Sequence, residues 1–411
     1  MSTTQKYDLI LFGVTGFTGK LAAEYLLQKQ YGNWATCARN KSKAESILSE
    51  ITSNLKDKET PVVLEADLIC DTDDKKEELR IIVQQTKVVL TCAGPFEKYG
   101  TTLLQLCAEE GVDYCDITGE TDFVRNMIFE HDATARKNGA CIISHCGADC
   151  IPQDLLVFEI HRVAKEKGLE LESVETFVDL PESAAFSGGS VSTLSYQLGK
   201  DRTAARSTDF DPLLMKPDGT KSEYTTKNIS PKSATFHLDL NQKVGPWVMA
   251  PVMVNCVRRS NALLHYSANL SYGDSKIQNS SSWASFKSAA ATAKIAAAIK
   301  IPLLKGLLPQ PGQGPDRDLM EAGYLNLLGL GTAGDQKIKA KFHFGKDVAY
   351  LYTAAMLVET GMALLFAKDK TAGVVTPAVG LGHALTERLM ETLDITLDIA
   401  IQWSSLWWDA R

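Results

Sequence analysis

An apolar run, Leu9-Ile10-Leu11-Phe12, breaks at Gly13-Val14-Thr15-Gly16-Phe17-Thr18-Gly19, and a helical pattern then resumes in Leu21, Ala22, Tyr25 and Leu26. A strand, a tight turn and a helix start in direct succession leave few folds open. Three glycines at intervals of three let the backbone turn sharply, admit a pyrophosphate without Cβ obstruction, and bring the helix close to the strand. The N–H groups that open the helix then face the anion. The spacing differs from G-x-G-x-x-G, so the reading rests on the flanking strand and helix. Thr15, Phe17 and Thr18 are the loop side chains set against a cofactor; the plain alternative is a strand-to-helix turn that binds nothing.

Strand-like and helix-like runs alternate through the first 165 residues, as in a parallel sheet with crossover helices. Trp34 to Ala38, Pro61 to Ala66, Lys87 to Cys92, Asp113 to Ile117 and Ala140 to Ser144 read as successive strands. Beyond a helix at Pro152 to Lys167 the pattern changes. Ser173 to Leu180, Ala234 to Leu240, Val248 to Val257 and Leu263 to Tyr272 read as strands of a second unit, and Lys200 to Ser233 as a polar surface excursion. Two helical runs, Ala349 to Ala367 and Ala378 to Leu393, close the chain. The expected fold class is α/β: a Rossmann-like, doubly wound parallel sheet with an inserted mixed α/β second domain. The expected boundaries are 1–165 for a dinucleotide-binding domain, 166–345 for a substrate and dimerisation domain, and 346–411 for C-terminal helices packing back on the first.

With 411 residues the chain can bury a large core. Its net charge of −7 excludes a broad cationic surface for nucleic acid. The first strand begins within about ten residues, without the charged-then-apolar layout of a secretory signal, so a cytoplasmic address is expected. Nine cysteines, scattered through apparent strands and helices, suit reduced thiols. The set Cys141, His145, Cys146 and Cys150 lacks paired C-x-x-C spacing, so no metal is expected. Residues 285–308 carry Lys287, Lys294, Lys300 and Lys305 among alanines, isoleucines and leucines. Such a segment suits an anionic membrane surface or an acidic acyl carrier, or else is a core helix with solvated lysines.

A dinucleotide fold meets the adenosine ribose at the end of its second strand, where an acidic residue about twenty positions on signals NAD. Arg39-Asn40-Lys41 stands there instead, with Lys43 next. These cations suit a ribose 2′-phosphate and hence NADP(H), unless they form a solvated basic turn. Asp67 closes the third strand, placed to accept from the adenine amino group or to cap the next helix. The fourth strand ends in Cys92-Ala93-Gly94-Pro95, a small turn against which ribose and nicotinamide can lie.

The Gly13 loop, the Arg39 turn, Cys92-Ala-Gly-Pro-Phe-x-x-Tyr99-Gly100, Asp116-Ile-Thr-Gly-Glu120 and Gly147-Ala-Asp149-Cys-Ile-Pro152-x-Asp154-Leu155 together resemble the saccharopine dehydrogenase-like oxidoreductases, a group that includes mycobacterial trans-acting enoyl reductases. The resemblance continues in Leu308-Pro-Gln-Pro-Gly-x-Gly314-Pro315, Tyr352-x-x-Ala355-x-Leu357-Val358-Glu359 and Gly373-Val-Val-Thr376-Pro377-Ala378, and so covers nearly the whole chain. It implies an NADP-type Rossmann domain, a second α/β domain and hydride chemistry. Where that family often carries Phe-Asp-Ser, this chain has Ala148-Asp149-Cys150, so a role transfers to Asp149 and none to a serine.

An enoyl reductase delivers hydride to the β-carbon of an unsaturated thioester and needs an enolate stabiliser and a proton donor. Tyr99 and Glu120, after strands that border the nicotinamide, are the candidates for donor and orienting group, with Asp149 a third. Each also has a plain structural reading: packing for Tyr99, a helix first turn for Glu120, a cap for Asp149. The expected function is NADPH-dependent reduction of an unsaturated acyl or lipid-type substrate, free or carrier-bound, by a homodimer. The alternatives are an imine reductase acting on an amino acid, for which Arg258-Arg259 is the only basic pair in the second domain, and a non-catalytic NADPH-binding scaffold.

Overall fold

The computed structural model describes residues 5–55, 58–148, 150–181, 187–199, 210–278, 308–310 and 312–402. Asp149, the basic segment 285–308 apart from Leu308, and the tryptophan-rich tail from Trp403 lie outside the described residues.

Strands β1 (Tyr7–Phe12), β2 (Trp34–Ala38), β3 (Val62–Glu65), β4 (Thr86–Thr91), β5 (Asp113–Asp116) and β6 (Cys141–Ile143) alternate with helices. They are followed by β7 (Ser173–Asp179), β8 (Thr225–Asn228), β9 (Thr235–His237), β10 (Gln242–Pro246), β11 (Asn269–Ile277), β12 (Leu325–Ala333), β13 (Gln336–Phe344), β14 (Gly373–Val375) and β15 (Ile395–Gln402). The first sheet runs β3-β2-β1-β4-β5-β6-β14, parallel throughout. Its order reverses between β1 and β4, and the crevice outside the strand ends at such a reversal is where this architecture binds ligands. β1 is apolar on both faces because both are covered: Leu9 and Leu11 lie in one core cluster, Ile10 and Phe12 in the other.

The second sheet is mixed, in the order β15-β13-β12-β7-β11-β10-β9, with β8 paired beside β11. Its β7 and β11 are parallel, while β12, β13 and β15 are antiparallel neighbours in turn. Helix Ile151–Glu166 leaves the first sheet and contributes Leu155, Leu156 and Ile160 to the same core cluster as Leu327, Ile338 and Phe342 of the second. Helix Leu351–Phe366 packs back on helix Phe17–Lys29, where buried Glu359 accepts hydrogen bonds from the hydroxyls of Tyr25 (2.6 Å) and Tyr31 (2.9 Å). The last described element, β15, lies at the edge of the second sheet. Among the described residues, no helix is long and apolar enough to cross a membrane.

Three local expectations are corrected. Val248 to Val257 is not a strand: Ala250–Leu264 is a helix that opens with Pro251 and buries Met253, Val254, Cys256 and Val257. Its β-branched residues imitate a strand composition, while the spacing of its buried face is helical. The stretch read as a surface excursion contains Pro212–Leu214, a buried turn in which Leu213 joins the core of the first sheet. The run expected as one helix over Ala378 to Leu393 is two, Pro377–Gly380 and His383–Thr392, separated at Gly382, whose φ of 52° lies in the left-handed region.

Asp274 of β11 is fully buried, its carboxylate accepting from the Thr176 hydroxyl at 2.7 Å, and burial pushes its pKa up to about 7. The folded protein therefore holds this proton more tightly than the unfolded chain, whose aspartates titrate near about 3.9. The resulting stabilisation is present in full below that unfolded value and is lost as pH rises through about 7. Urea denaturation from pH 4 to pH 8 is expected to show stability falling across this window by a few kcal/mol on this account. Asp274→Asn removes that component, and an unchanged slope in the variant would contradict the assignment.

Candidate functional site

Gly13 takes φ 91°, and a Cβ there would lie 2.9 Å from Ala93 N, so the first glycine lets the turn press against the end of β4. A Cβ on Gly19 would lie 2.0 Å from the Gly13 carbonyl oxygen, inside contact distance. The helix therefore closes on its own loop only with glycine at this position. Gly16 is the residue preceding helix Phe17–Lys29, and no side chain caps that terminus. The next two helices differ: Asn40 accepts from Lys43 N at 2.9 Å and Thr72 from Lys75 N at 3.4 Å. Only the glycine-loop helix of these three leaves its first N–H groups without a side-chain cap, and with the glycine backbone beside it this fits a pyrophosphate.

Arg39 follows β2 on the surface, with Lys43 exposed one turn into the next helix, and neither side chain is paired with another among the described residues, at the place expected for a 2′-phosphate. Asn40 is committed as the cap of that helix. Asp67 is not a helix cap, since Thr72 serves helix Asp73–Val83; its carboxylate accepts from Ile69 N at 3.0 Å and holds the turn after β3.

Cys92, Ala93, Gly94 and Pro95 follow β4, where Cys92 N donates to Phe12 O and ties the turn to β1. Burial pushes the Cys92 thiol up, so it is no thiolate nucleophile at neutral pH. Glu120 is buried and its carboxylate accepts from Phe96 N (2.7 Å), Glu97 N (3.1 Å) and Gln197 Nε2 (3.2 Å). It thus fastens the first turn of helix Phe96–Tyr99 to β5 and to helix Gly188–Gly199. Burial raises its pKa against these three stabilising donors. Tyr99, half-buried at the end of that short helix, has the Lys98 ammonium 5.0 Å from its ring centre.

Beyond β5 and β6 lies a buried polar knot. Asp116 accepts from Thr118 N (2.9 Å), His145 N (3.3 Å) and the Ser144 hydroxyl (3.1 Å). His145 adopts φ 67° and shares a 2.5 Å contact between Nδ1 and the Thr118 carbonyl. Burial opposes its charge, yet Cys150, Asp116 and the Thr118 carbonyl together carry its pKa up to about 9.

The second sheet's side of the chain completes the crevice, which sequence reasoning missed. Gly312 packs against Thr15 and Gly314 against the Phe17 ring, so the Leu308-to-Pro315 motif lies on the glycine loop. Phe17 also meets Tyr350 edge-on at 5.4 Å, and the Tyr350 hydroxyl accepts from Ser187 N at 2.8 Å. Helix Gly188–Gly199 carries Thr193 to Gly94 and Gln197 to Glu120. This stretch is given no element from the sequence, and only the packing reveals its place.

The basic pair Arg258-Arg259 faces inward. Arg258 donates to Asp211 at 2.8 Å beside Arg125, and Arg259 is buried, donating to the Met215 and Val374 carbonyls. Arg258 and the terminal nitrogens of Arg259 join helix Ala250–Leu264 to its surroundings, while Arg259 Nε is buried with no hydrogen-bond partner among the described residues.

Comparison with known proteins bears directly on this crevice. The family model described as the saccharopine dehydrogenase NADP binding domain matches residues 9–143. A trans-acting enoyl reductase of Mycobacterium tuberculosis is 32% identical, with 94% of this chain and 96% of the relative covered. Another, from Mycobacterium ulcerans, is 31% identical over 95% and 98%. Among solved structures, apo saccharopine dehydrogenase (L-Glu forming) from Saccharomyces cerevisiae matches with a TM-score of 0.57 at 12% identity, covering 96% of this chain and all of that one.

Proposed function

Because this chain belongs to the saccharopine dehydrogenase-like, NADP-dependent oxidoreductases that include the trans-acting enoyl reductases, we propose that it reduces the carbon–carbon double bond of an unsaturated acyl compound. The carrying observation is the engagement of Arg258 and Arg259 inside the fold, together with near-complete coverage of enoyl reductases at about a third identity. An imine reductase that condenses an amino acid needs free cations for its carboxylates, and both members of this pair already donate to acceptors inside the fold.

In this reading the Gly13, Gly16 and Gly19 backbone holds the pyrophosphate, Arg39 and Lys43 the 2′-phosphate, and the Cys92-to-Pro95 turn the nicotinamide ribose. When bound there, NADPH would supply the hydride for the reduction. Tyr99 supplies the α-carbon with its proton, and Glu120 acts one step removed, as the positioning residue that anchors the helix bearing Tyr99.

NADPH oxidation followed at its absorbance band, with trans-2-enoyl thioesters against mixtures of an amino acid and a 2-oxo acid, tests the assignment. Turnover with the thioesters alone is expected; faster turnover with the imine mixtures overturns it. For the cofactor, Arg39→Ala is expected to weaken NADPH by about tenfold or more, the loss of one charge-assisted contact, with NADH altered by less than about twofold. Titration of cofactor fluorescence reads both, and equal losses would remove Arg39 from the 2′-phosphate site.

A further inference from the structure

Helix Gly188–Gly199 reaches across the crevice from one end to the other. At its start Gly188 N donates to Gln313 O at 3.0 Å, and the Ser190 hydroxyl lies 3.1 Å from that of Tyr350, whose ring meets Phe17 of the glycine loop. Farther along, the Thr193 hydroxyl oxygen lies 3.5 Å from where a Cβ on Gly94 would stand, and Gln197 donates to Glu120. Ser190, Thr193 and Gln197 recur at helical spacing and share one face. That polar stripe runs from the pyrophosphate loop to the ends of β4 and β5, the direction in which a dinucleotide extends from phosphate to nicotinamide.

Thr193 differs from its helical neighbour. Ser195 returns its hydroxyl to the Val191 carbonyl at 2.8 Å, the usual fate of a helical hydroxyl, whereas that of Thr193 makes no hydrogen bond to another described residue. Gln197 donates through Nε2 to Glu120 and keeps its amide oxygen for a donor. A hydroxyl donor and an amide acceptor one turn apart match a primary carboxamide, which has one carbonyl oxygen and one NH2 group.

We propose that Thr193 and Gln197 bind the nicotinamide carboxamide of NADP(H), so that a helix from outside the nucleotide-binding sheet completes the cofactor site. The inference rests on the NADP(H) assignment and is independent of the acyl substrate. It also makes the helix a positioning device, since fixing the carboxamide fixes which face of the ring meets the substrate.

Equilibrium titration of NADPH and of 2′,5′-ADP, which lacks the nicotinamide half, tests it without any turnover. Thr193→Val keeps the shape and removes the hydroxyl. It is expected to raise the NADPH Kd by about tenfold and to leave 2′,5′-ADP within about twofold of the parent protein, with Thr193→Ser close to the parent for both. Retained 2′,5′-ADP binding shows that the variant is folded. Unchanged NADPH affinity in Thr193→Val, or equal weakening of both ligands, overturns the proposal. Arg39→Ala, expected to weaken both ligands, separates a failure of the 2′-phosphate site from a failure at the carboxamide.

Discussion

Replacing Gly19 by alanine is expected to reduce NADPH affinity by about a hundredfold or more, equivalent to about 3 kcal/mol. The added Cβ would stand 2.0 Å from the Gly13 carbonyl oxygen and 2.6 Å from its carbonyl carbon, both backbone atoms that no rotamer change can move aside. Helix Phe17–Lys29 must therefore tilt away or the loop must open, and either motion displaces the N–H groups aimed at the pyrophosphate. The same helix is held on its other side by Glu359 and the hydroxyls of Tyr25 and Tyr31, so the loop is the part that yields. Fluorescence titration with NADPH checks the loss. Affinity within threefold of the parent would show that the pyrophosphate lies elsewhere, and a melting curve on the same sample separates lost binding from lost folding.

A comparable effect on stability is expected from Asp154→Ala. Asp154 is fully buried in helix Ile151–Glu166, and its two oxygens reach two other parts of the chain: Ser260 donates to one at 2.5 Å and Ala378 N to the other at 2.8 Å. Ser260 also lies 2.6 Å from the Thr376 hydroxyl, so residues from three separate parts of the chain form one network. Burial raises the carboxyl pKa to about 6 against the pull of these donors. Truncation leaves the Ala378 N–H without its partner in a buried site, and removes the ties of helix Ile151–Glu166 to helices Ala250–Leu264 and Pro377–Gly380. About 3 to 5 kcal/mol is the expected cost. The shift of the urea midpoint measures it, and a loss below about 1 kcal/mol would show that the network can repair itself with water or a new rotamer.

Legibility in the sequence followed the range of the interactions involved. The glycine loop, β1 through β6 and the helix at Ile151–Glu166 were legible because each is specified by neighbours: alternation of apolar runs, and glycine where no Cβ fits. The place of Arg39 was legible because it depends only on where β2 ends. Helix Ala250–Leu264 was misread as a strand because valines favour strands in isolation, while the buried face that makes it a helix appears only against β11 and the Pro212–Leu214 turn. For Glu120, named from the sequence as an orienting group or a helix first turn, the partners were not legible. Its carboxylate is spent on two backbone N–H groups and Gln197, partners that no spacing rule reveals.

What the sequence by itself determined is thus the nucleotide-binding half: local backbone requirements write themselves into residue type, and strict periodicity carries the parallel sheet. Only the tertiary structure decided how that half is completed. Gly312 and Gly314 come to the glycine loop, Thr193 to Gly94, Asp154 to Ala378, and Arg258 and Arg259 turn inward, from positions tens to hundreds of residues away. Such contacts depend on shape and burial summed over both sheets, a sum that no window along the chain contains.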